Sequence, residues 1–154
     1  MPSTPTETDQ IIAQGRKCYQ DLHDYWQKLA PVINIMVVDD EPDFCAMLAD
    51  SVRSLLSRRC NLISAFSGNE AMAILETKKV DLLFLDLRMP KRYGDGLEVL
   101  ASVDRKETIV LIVTGIVDDS VEILKARAMG CHNIIRKTDL LNDLKIIFGI
   151  KEAA

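Results

Sequence analysis

Five short apolar runs alternate with five segments of helical periodicity from about residue 34 onward. The predicted strands are Ile33 to Val38, Asn61 to Phe66, Leu82 to Leu85, Ile109 to Val113 and Asn133 to Ile135. The predicted helices begin near Pro42, Asn69, Gly96, Ser120 and Leu140, and the third of them extends to about Asp104. Strands that are apolar on both faces and alternate with helices are typical of a parallel sheet covered by helices on both sides. The sequence therefore predicts an α/β fold with a doubly wound, five-stranded sheet.

The length and charge of the chain narrow the classes of function. The 154 residues suit one domain, and the net charge of -4, with cations and anions mixed along the chain, offers no basic face for a nucleic acid. No apolar run is long enough to cross a bilayer, and Met1 to Glu7 lacks the pattern of a secretion signal. We expect a cytoplasmic protein without direct contact to nucleic acid or membrane.

The four cysteines do not form a metal-binding or disulfide pattern. Cys18, Cys45, Cys60 and Cys131 are scattered, without a Cys-x-x-Cys pair, and the chain has two histidines. Reduced thiols are therefore predicted, and a zinc site is not.

Polar residues follow four of the five predicted strands. These residues are Asp39 and Asp40 after the first strand, Asp86 after the third, Thr114 at the end of the fourth and Lys137 after the fifth. In doubly wound sheets, ligands bind beyond the carboxyl ends of the strands. The sequence thus predicts a site that contains three carboxylates, a hydroxyl group and an ammonium group.

This combination of groups indicates phosphoryl transfer. Three clustered carboxylates repel one another unless a cation lies among them, and their hard oxygens suit Mg²⁺. Lys137 and the cation would neutralise a phosphoryl group, Thr114 would donate a hydrogen bond to it, and Asp86 would be the nucleophile. The predicted product is an aspartyl phosphate.

Several motifs resemble those of a known family when they are taken together and in order. They are Val37 to Pro42 (VVDDEP), Leu85 to Pro90 (LDLRMP), Asp95 to Leu100 (DGLEVL), Val113 to Gly115 (VTG) and Lys137. The motifs are similar to those of the receiver domain of two-component response regulators, of the chemotaxis-regulator type, over about residues 34 to 150. The resemblance implies a flavodoxin-like sheet of order 2-1-3-4-5 with five helices.

The resemblance also implies a mechanism and partners. A histidine kinase or phosphotransfer protein would phosphorylate Asp86 in a Mg²⁺-dependent reaction. Phosphorylation would then favour one of two existing arrangements of the fourth and fifth β-α regions and so switch protein contacts. No enzymatic activity is expected beyond phosphorylation and dephosphorylation of the protein's own aspartate.

The resemblance assigns a role to each site residue. The ion would be held by Asp39, Asp40, Asp86 and the backbone carbonyl of Arg88. Thr114 and Lys137 would contact the phosphoryl group. The separate alternatives, that Asp39 and Asp40 cap the first helix and that Asp86 opens a turn, explain single residues but not the set.

The first departure from the family is an amino-terminal extension, residues 1–31, which precedes a receiver domain at residues 32–154. Thr6 to Leu29 has the periodicity of one amphipathic helix. Its apolar face would pair with its copy in a homodimer, pack on its own receiver domain or dock on another protein.

Two loops also depart from the family pattern. The loop from Lys91 to Gly94 is about two residues longer than usual and forms either a lid, a partner contact or a solvated basic turn. Thr138 follows Lys137 where the family usually has proline, and Ile134 stands at the family's switch aromatic. In the family, movement of this aromatic ring signals the phosphorylated state. This signal is therefore expected to be absent here or carried by another group.

Arg88 and Ile116 lie two residues beyond Asp86 and Thr114, where they would border the path of the hydrolytic water. A long cation and a bulky branched side chain there would shield an acyl phosphate. Slow loss of the phosphoryl group is therefore predicted.

Two functions remain from the sequence. The first is a response regulator that consists of the receiver alone, or the receiver portion of a larger regulator, because few residues follow the last helix. The second is a degenerate receiver that acts as a constitutive dimerisation or docking module, which Ile134 and Thr138 favour.

Overall fold

The computed structural model describes residues 32–56, 59–115 and 120–148. The strands are β1 (Val32–Val38), β2 (Arg59–Ala65), β3 (Leu82–Leu85), β4 (Ile109–Thr114) and β5 (Asn133–Arg136). The helices are α1 (Pro42–Leu55), α2 (Gly68–Thr77), α3 (Gly96–Ser102), α4 (Val121–Ala128) and α5 (Leu140–Ile147), with 3₁₀ turns at Lys91–Tyr93 and Lys137–Asp139. The predicted amino-terminal helix, the boundary at residue 31 and Ile116 lie outside the described residues.

All strand pairs in the sheet are parallel, in the order β2-β1-β3-β4-β5. This order confirms the flavodoxin-like prediction. Strand β2 lies beside one edge of β1, and β3 lies beside the opposite edge, so the strand order reverses at β1. The reversal places a crevice between the carboxyl ends of β1 and β3, and Asp39 and Asp86 follow these two strands.

The core consists of one apolar layer on each side of the sheet. Alternate residues of β1 enter opposite layers: Ile35 and Val37 pack with residues of α1 and α5, whereas Met36 and Val38 pack with residues of α2, α3 and α4. All residues of β3 and β4 are buried. A continuous apolar run is thus required at these strands because helices cover both of their faces.

Most helices begin at a side chain that accepts a backbone hydrogen bond. Ser67, Asp95 and Ser120 cap α2, α3 and α4 by accepting from the backbone N–H three residues further on. Such caps typically stabilise a helix by about 1 kcal/mol. Helix α1 begins instead with Pro42, whose missing N–H is no loss at that position.

Helix α3 is shorter than predicted. The sequence pattern extends it to about Asp104, but the helix ends at Ser102. Asp104 opens a turn: its side chain accepts a hydrogen bond from Lys106 N (3.0 Å), and its carbonyl accepts one from Thr108 N (3.0 Å). Local bonding by an aspartate therefore ends the helical pattern.

The lengthened loop after Pro90 is anchored to the start of α2. Gly68 N donates a hydrogen bond to the Gly94 carbonyl (3.1 Å), and a Cβ atom on Gly68 would overlap that carbonyl. Gly94 has a φ of 86°, which other residues rarely adopt. A Cβ atom on Gly96 would likewise overlap the Asp86 carbonyl, so α3 begins directly against the backbone of the phosphoacceptor candidate.

Candidate functional site

Three carboxylates meet at the crevice between β1 and β3. Asp39, Asp40 and Asp86 each offer an oxygen, and these oxygens all lie within 4.8 Å of one another. Asp39 and Asp86 are buried, whereas Asp40 is exposed. Strand order alone brings these residues together, since they follow adjacent strands at the same edge of the sheet. Their chemical roles stay predictions.

The two Oδ atoms of Asp39 have different surroundings. Oδ1 accepts a hydrogen bond from Glu41 N (2.9 Å). Oδ2 is buried and, among the residues described, accepts no hydrogen bond of acceptable geometry. The amino-terminal cap of α1 is Glu41, so neither Asp39 nor Asp40 occupies that position. Asp39 is thus held in place by its own turn and directs one oxygen into the crevice.

Lys137 supplies a positive charge to the cluster. Its Nζ atom lies 2.8 Å from Asp39 Oδ2 and 3.6 Å from Asp86 Oδ2. Burial lowers the pKa of Lys137, but the close contact with Asp39 and the charges of Asp86 and Asp39 raise it above its usual value overall. The lysine is therefore charged at neutral pH. It reaches the cluster although Thr138, not proline, follows it.

Asp86 combines burial with a high proton affinity. Burial raises the pKa of this carboxyl to about 6, and the charge of Asp39 acts in the same direction. The charge of Lys137 and a hydrogen bond from Arg88 N to Asp86 Oδ1 (3.3 Å) oppose the shift. A cation in the crevice would favour the ionised form, which is the nucleophilic one.

The remaining candidate residues border the cluster. Thr114 is buried and ends β4, which pairs with β3, so it lies at the same edge of the sheet as Asp86. The Arg88 side chain is exposed, while its backbone N–H contacts Asp86. Ile134 is half-buried on β5. The metal-binding role of the Arg88 carbonyl stays a prediction.

The donor set fits a hard divalent cation. It offers three carboxylate groups, and the buried Asp39 Oδ2 atom is paired with the Lys137 ammonium but accepts no backbone hydrogen bond among the described residues. Exposed Asp40 leaves the crevice open to water, and Mg²⁺ usually keeps several of its waters in protein sites. Cys45 and Cys60 are free thiols, as predicted.

Two neighbours of the cluster were not predicted from the sequence as site residues. The Phe44 ring lies with its centroid 4.3 Å from Lys137 Nζ. Cys45 Sγ donates to the Asp39 carbonyl (3.4 Å), and burial raises the pKa of this thiol to about 11, so it stays protonated. Both follow the acidic pair by a few positions, on the first turn of α1. That proximity in sequence was the available signal.

A family model described as the response regulator receiver domain matches residues 35–147 of the chain. The chain belongs to this family. Its receiver domain therefore belongs to a class of phosphoryl-accepting signalling domains. The expected resemblance and the observed sheet order agree with this assignment.

A curated relative supports the family assignment. The receiver is 34% identical over 116 residues to the positive alginate biosynthesis regulatory protein of Pseudomonas aeruginosa, a match that covers 73% of this chain and 46% of the relative. The chain spans between 20% and 46% of the length of six such relatives.

Solved structures share the fold at low identity. The receiver domain of the putative response regulator NarL from Mycobacterium tuberculosis is 24% identical, with a TM-score of 0.63 over 79% of this chain and 94% of that one. A Burkholderia pseudomallei response regulator, determined with a phosphorylated aspartic acid, a calcium ion and citrate, is 22% identical, with a TM-score of 0.62 over 75% and 66%. Within the ranges described for this receiver, no helix is long and apolar enough to cross a bilayer.

Proposed function

We propose that this receiver accepts a phosphoryl group on Asp86 from a histidine kinase or phosphotransfer protein and thereby switches protein contacts. One observation carries the proposal: the Lys137 ammonium lies within ion-pair distance of both Asp39 and Asp86, in a crevice lined by three carboxylates. A site of this kind combines a buried nucleophile with a cation beside it. Such an arrangement suits the transfer of a negatively charged group.

In the proposed reaction, an Asp86 oxygen attacks the phosphorus atom of a phosphohistidine. The new bond joins oxygen and phosphorus, the phosphorus–nitrogen bond breaks, and the imidazole nitrogen keeps the electron pair and takes a proton. The product is an acyl phosphate. Asp86 must be ionised to attack, so its pKa of about 6 leaves it mostly competent at neutral pH.

The other residues of the site would bind charge. Asp39, Asp40, Asp86 and the Arg88 carbonyl would hold Mg²⁺, which supplies neutralisation of the phosphoryl oxygens when it is bound. Lys137 would move its contact from the carboxylates to a phosphoryl oxygen, and the Thr114 hydroxyl would donate to another. The phosphorylated aspartic acid of the Burkholderia neighbour is consistent with this proposal by analogy of fold.

The output would follow from the new contacts of Lys137 and Thr114. These residues lie at the ends of β5 and β4, so their movement toward a phosphoryl group would bias the segments that follow both strands. Ile134 lacks the ring of the family's switch residue, which leaves these backbone segments as the proposed readout. The proposed signalling partner is a downstream protein or a second copy of this chain that binds through the amino-terminal segment.

A phosphorylation assay tests the proposal. The protein is incubated with Mg²⁺ and a small acyl-phosphate donor, and its intact mass is measured. We expect a gain of one phosphoryl group that requires Mg²⁺ and is absent from Asp86→Asn. Asp50→Asn is the matched control, because Asp50 is an exposed aspartate on α1.

The second candidate function is a constitutive docking module. Ile134 in place of an aromatic residue and Thr138 after Lys137 favour it. This function predicts no phosphate on the unaltered protein and partner binding that Asp86→Asn leaves unchanged. The same assay therefore separates the two candidates.

A further inference from the structure

The charged end of Lys137 contacts three groups from other elements. Two are the carboxylates of Asp39 and Asp86, and the third is the aromatic ring of Phe44, with its centroid 4.3 Å from Nζ. Phe44 is the third residue of α1 and packs, half-buried, against the core layer formed with α1 and α5. The ring is thus part of the protein core on one side and part of the phosphoryl site on the other.

We propose that Phe44 is a positioning residue, whose ring holds the Lys137 ammonium where it can meet a phosphoryl oxygen on Asp86. This inference rests on the proposed function. The contact distance is within the range in which an aromatic face attracts a cation, and the attraction is larger where water is partly excluded. About a quarter of the Lys137 side chain is exposed (24%), so water is partly excluded here.

The ring restrains the ammonium without presenting an oxygen that would take up one of its N–H donors. A lysine side chain has four rotatable bonds, and fixing it in one geometry costs conformational entropy. A polar side chain at residue 44 would bind an N–H of Lys137 that the phosphoryl oxygen needs. An aromatic face attracts the charge but presents no carboxylate or carbonyl oxygen to compete. Phe44 therefore offsets part of the ordering cost and keeps the donors of Lys137 available.

The residues beside Lys137 in sequence provide little enclosure. Arg136 and Thr138 are both exposed. Contacts from α1 and from the carboxylates consequently determine where Nζ lies. Removing the ring would enlarge the volume that the ammonium explores before transfer, and the maximal rate of phosphorylation would fall.

Two substitutions separate the ring from simple packing. Phe44→Leu keeps an apolar side chain but removes the aromatic face, whereas Phe44→Tyr retains it. Leu55→Val is the matched packing control, because Leu55 contacts the same core layer about 16 Å further along α1. Thermal unfolding of each variant establishes that it is folded.

The measurement is the phosphorylation rate constant at saturating Mg²⁺ and acyl-phosphate donor. We expect Phe44→Leu to lower the maximal rate about three- to tenfold while the half-saturating donor concentration stays nearly unchanged. Phe44→Tyr and Leu55→Val should stay near the unaltered rate. In a Lys137→Gln background, Phe44→Leu should cause no further loss, because the interaction is already removed.

A separate spectroscopic measurement keeps this inference distinct from the proposed function. The ring should shift the Lys137 Hε resonances upfield in the unphosphorylated protein, and Phe44→Leu should abolish the shift. An unaltered rate in Phe44→Leu, an equal loss in the Lys137→Gln background, or absence of the ring-dependent shift would overturn the positioning role. Absence of phosphorylation in the unaltered protein would instead overturn the proposed function, and the ring-dependent shift would still decide whether Phe44 holds Lys137.

Discussion

Lys137 Nζ lies 2.8 Å from Asp39 Oδ2, although β5 and β1, which these residues follow, are separated in the sheet by β3 and β4. Asp86, which follows β3, lies 3.6 Å from the same Nζ atom through its Oδ2 atom. The pair therefore links the edge strand to the crevice where the proposed chemistry takes place.

The raised pKa of Asp86 predicts that its charge destabilises the metal-free protein. The carboxyl titrates near about 4 in an unfolded chain and at about 6 in the native protein. Its favourable contribution is fully present below pH 4 and is lost as the pH rises through 6. Asp86→Asn should raise the free energy of unfolding by about 1 to 3 kcal/mol at pH 8 and by less at pH 4.

Urea unfolding at both pH values, with a metal chelator present, measures this difference. Asp50→Asn, on the exposed face of α1, should show no comparable dependence on pH. An equal effect of Asp86→Asn at the two pH values would contradict the assignment of the raised pKa.

Removal of the Lys137 charge should strengthen the binding of a divalent cation. The ammonium neutralises Asp39 and Asp86 and repels a second cation from the same oxygens. Lys137→Met should therefore lower the dissociation constant for Mg²⁺ severalfold, as measured by isothermal titration calorimetry, and should lower the stability of the metal-free protein. Lys125→Met, at an exposed position on α4, should change neither quantity. Weaker Mg²⁺ binding in Lys137→Met would show that the lysine supports the ion instead of competing with it.

The close approach of Gly68 to Gly94 predicts a stability cost for a small side chain. A methyl group on Gly68 would overlap the Gly94 carbonyl, so the Lys91–Tyr93 turn would have to move. Gly68→Ala should lower the free energy of unfolding by about 1 to 3 kcal/mol, the range for overpacking. Gly115→Ala is the control, since a Cβ atom there meets no atom of the described residues within 4 Å. Equal urea midpoints for Gly68→Ala and the unaltered protein would contradict this account of the loop.

The exposed Arg88 side chain predicts a long-lived acyl phosphate. Arg88 lies two residues beyond Asp86, and its backbone N–H donates to the Asp86 carboxylate. Arg88→Ala should shorten the phosphoryl lifetime severalfold, as followed by phosphate release after removal of the donor. Arg92→Ala, in the neighbouring turn, should leave the lifetime unchanged. A lifetime of only seconds in the unaltered protein would contradict the shielding role.

The fold was predictable because both faces of the central strands are covered. Leu82 to Leu85 had to be apolar without alternation, because helices cover both faces of β3. This run and the other apolar runs predicted the number of strands and their parallel arrangement. The edge strand β2 was the least well delimited: it was predicted from Asn61 and begins at Arg59. A strand with one neighbour buries less of its surface, so its pattern is less apolar.

The chemical groups of the site were also predictable, but their supporting contacts were not. Asp39, Asp86 and Lys137 could be placed from the rule that strand ends share one edge of the sheet. The ring of Phe44 against Lys137 and the backbone contact of Gly68 with Gly94 join distant parts of the chain. Side-chain periodicity reports the buried face of a helix, but it does not identify the partner of each residue.

The most direct measurement locates the phosphoryl group itself. After incubation with Mg²⁺ and the acyl-phosphate donor, borohydride reduction converts a phosphorylated aspartate to homoserine, and peptide mass spectrometry identifies the altered residue. We expect homoserine at residue 86, dependent on Mg²⁺ and on the donor. Modification at another aspartate, or none in a protein that is folded and binds Mg²⁺, would contradict it.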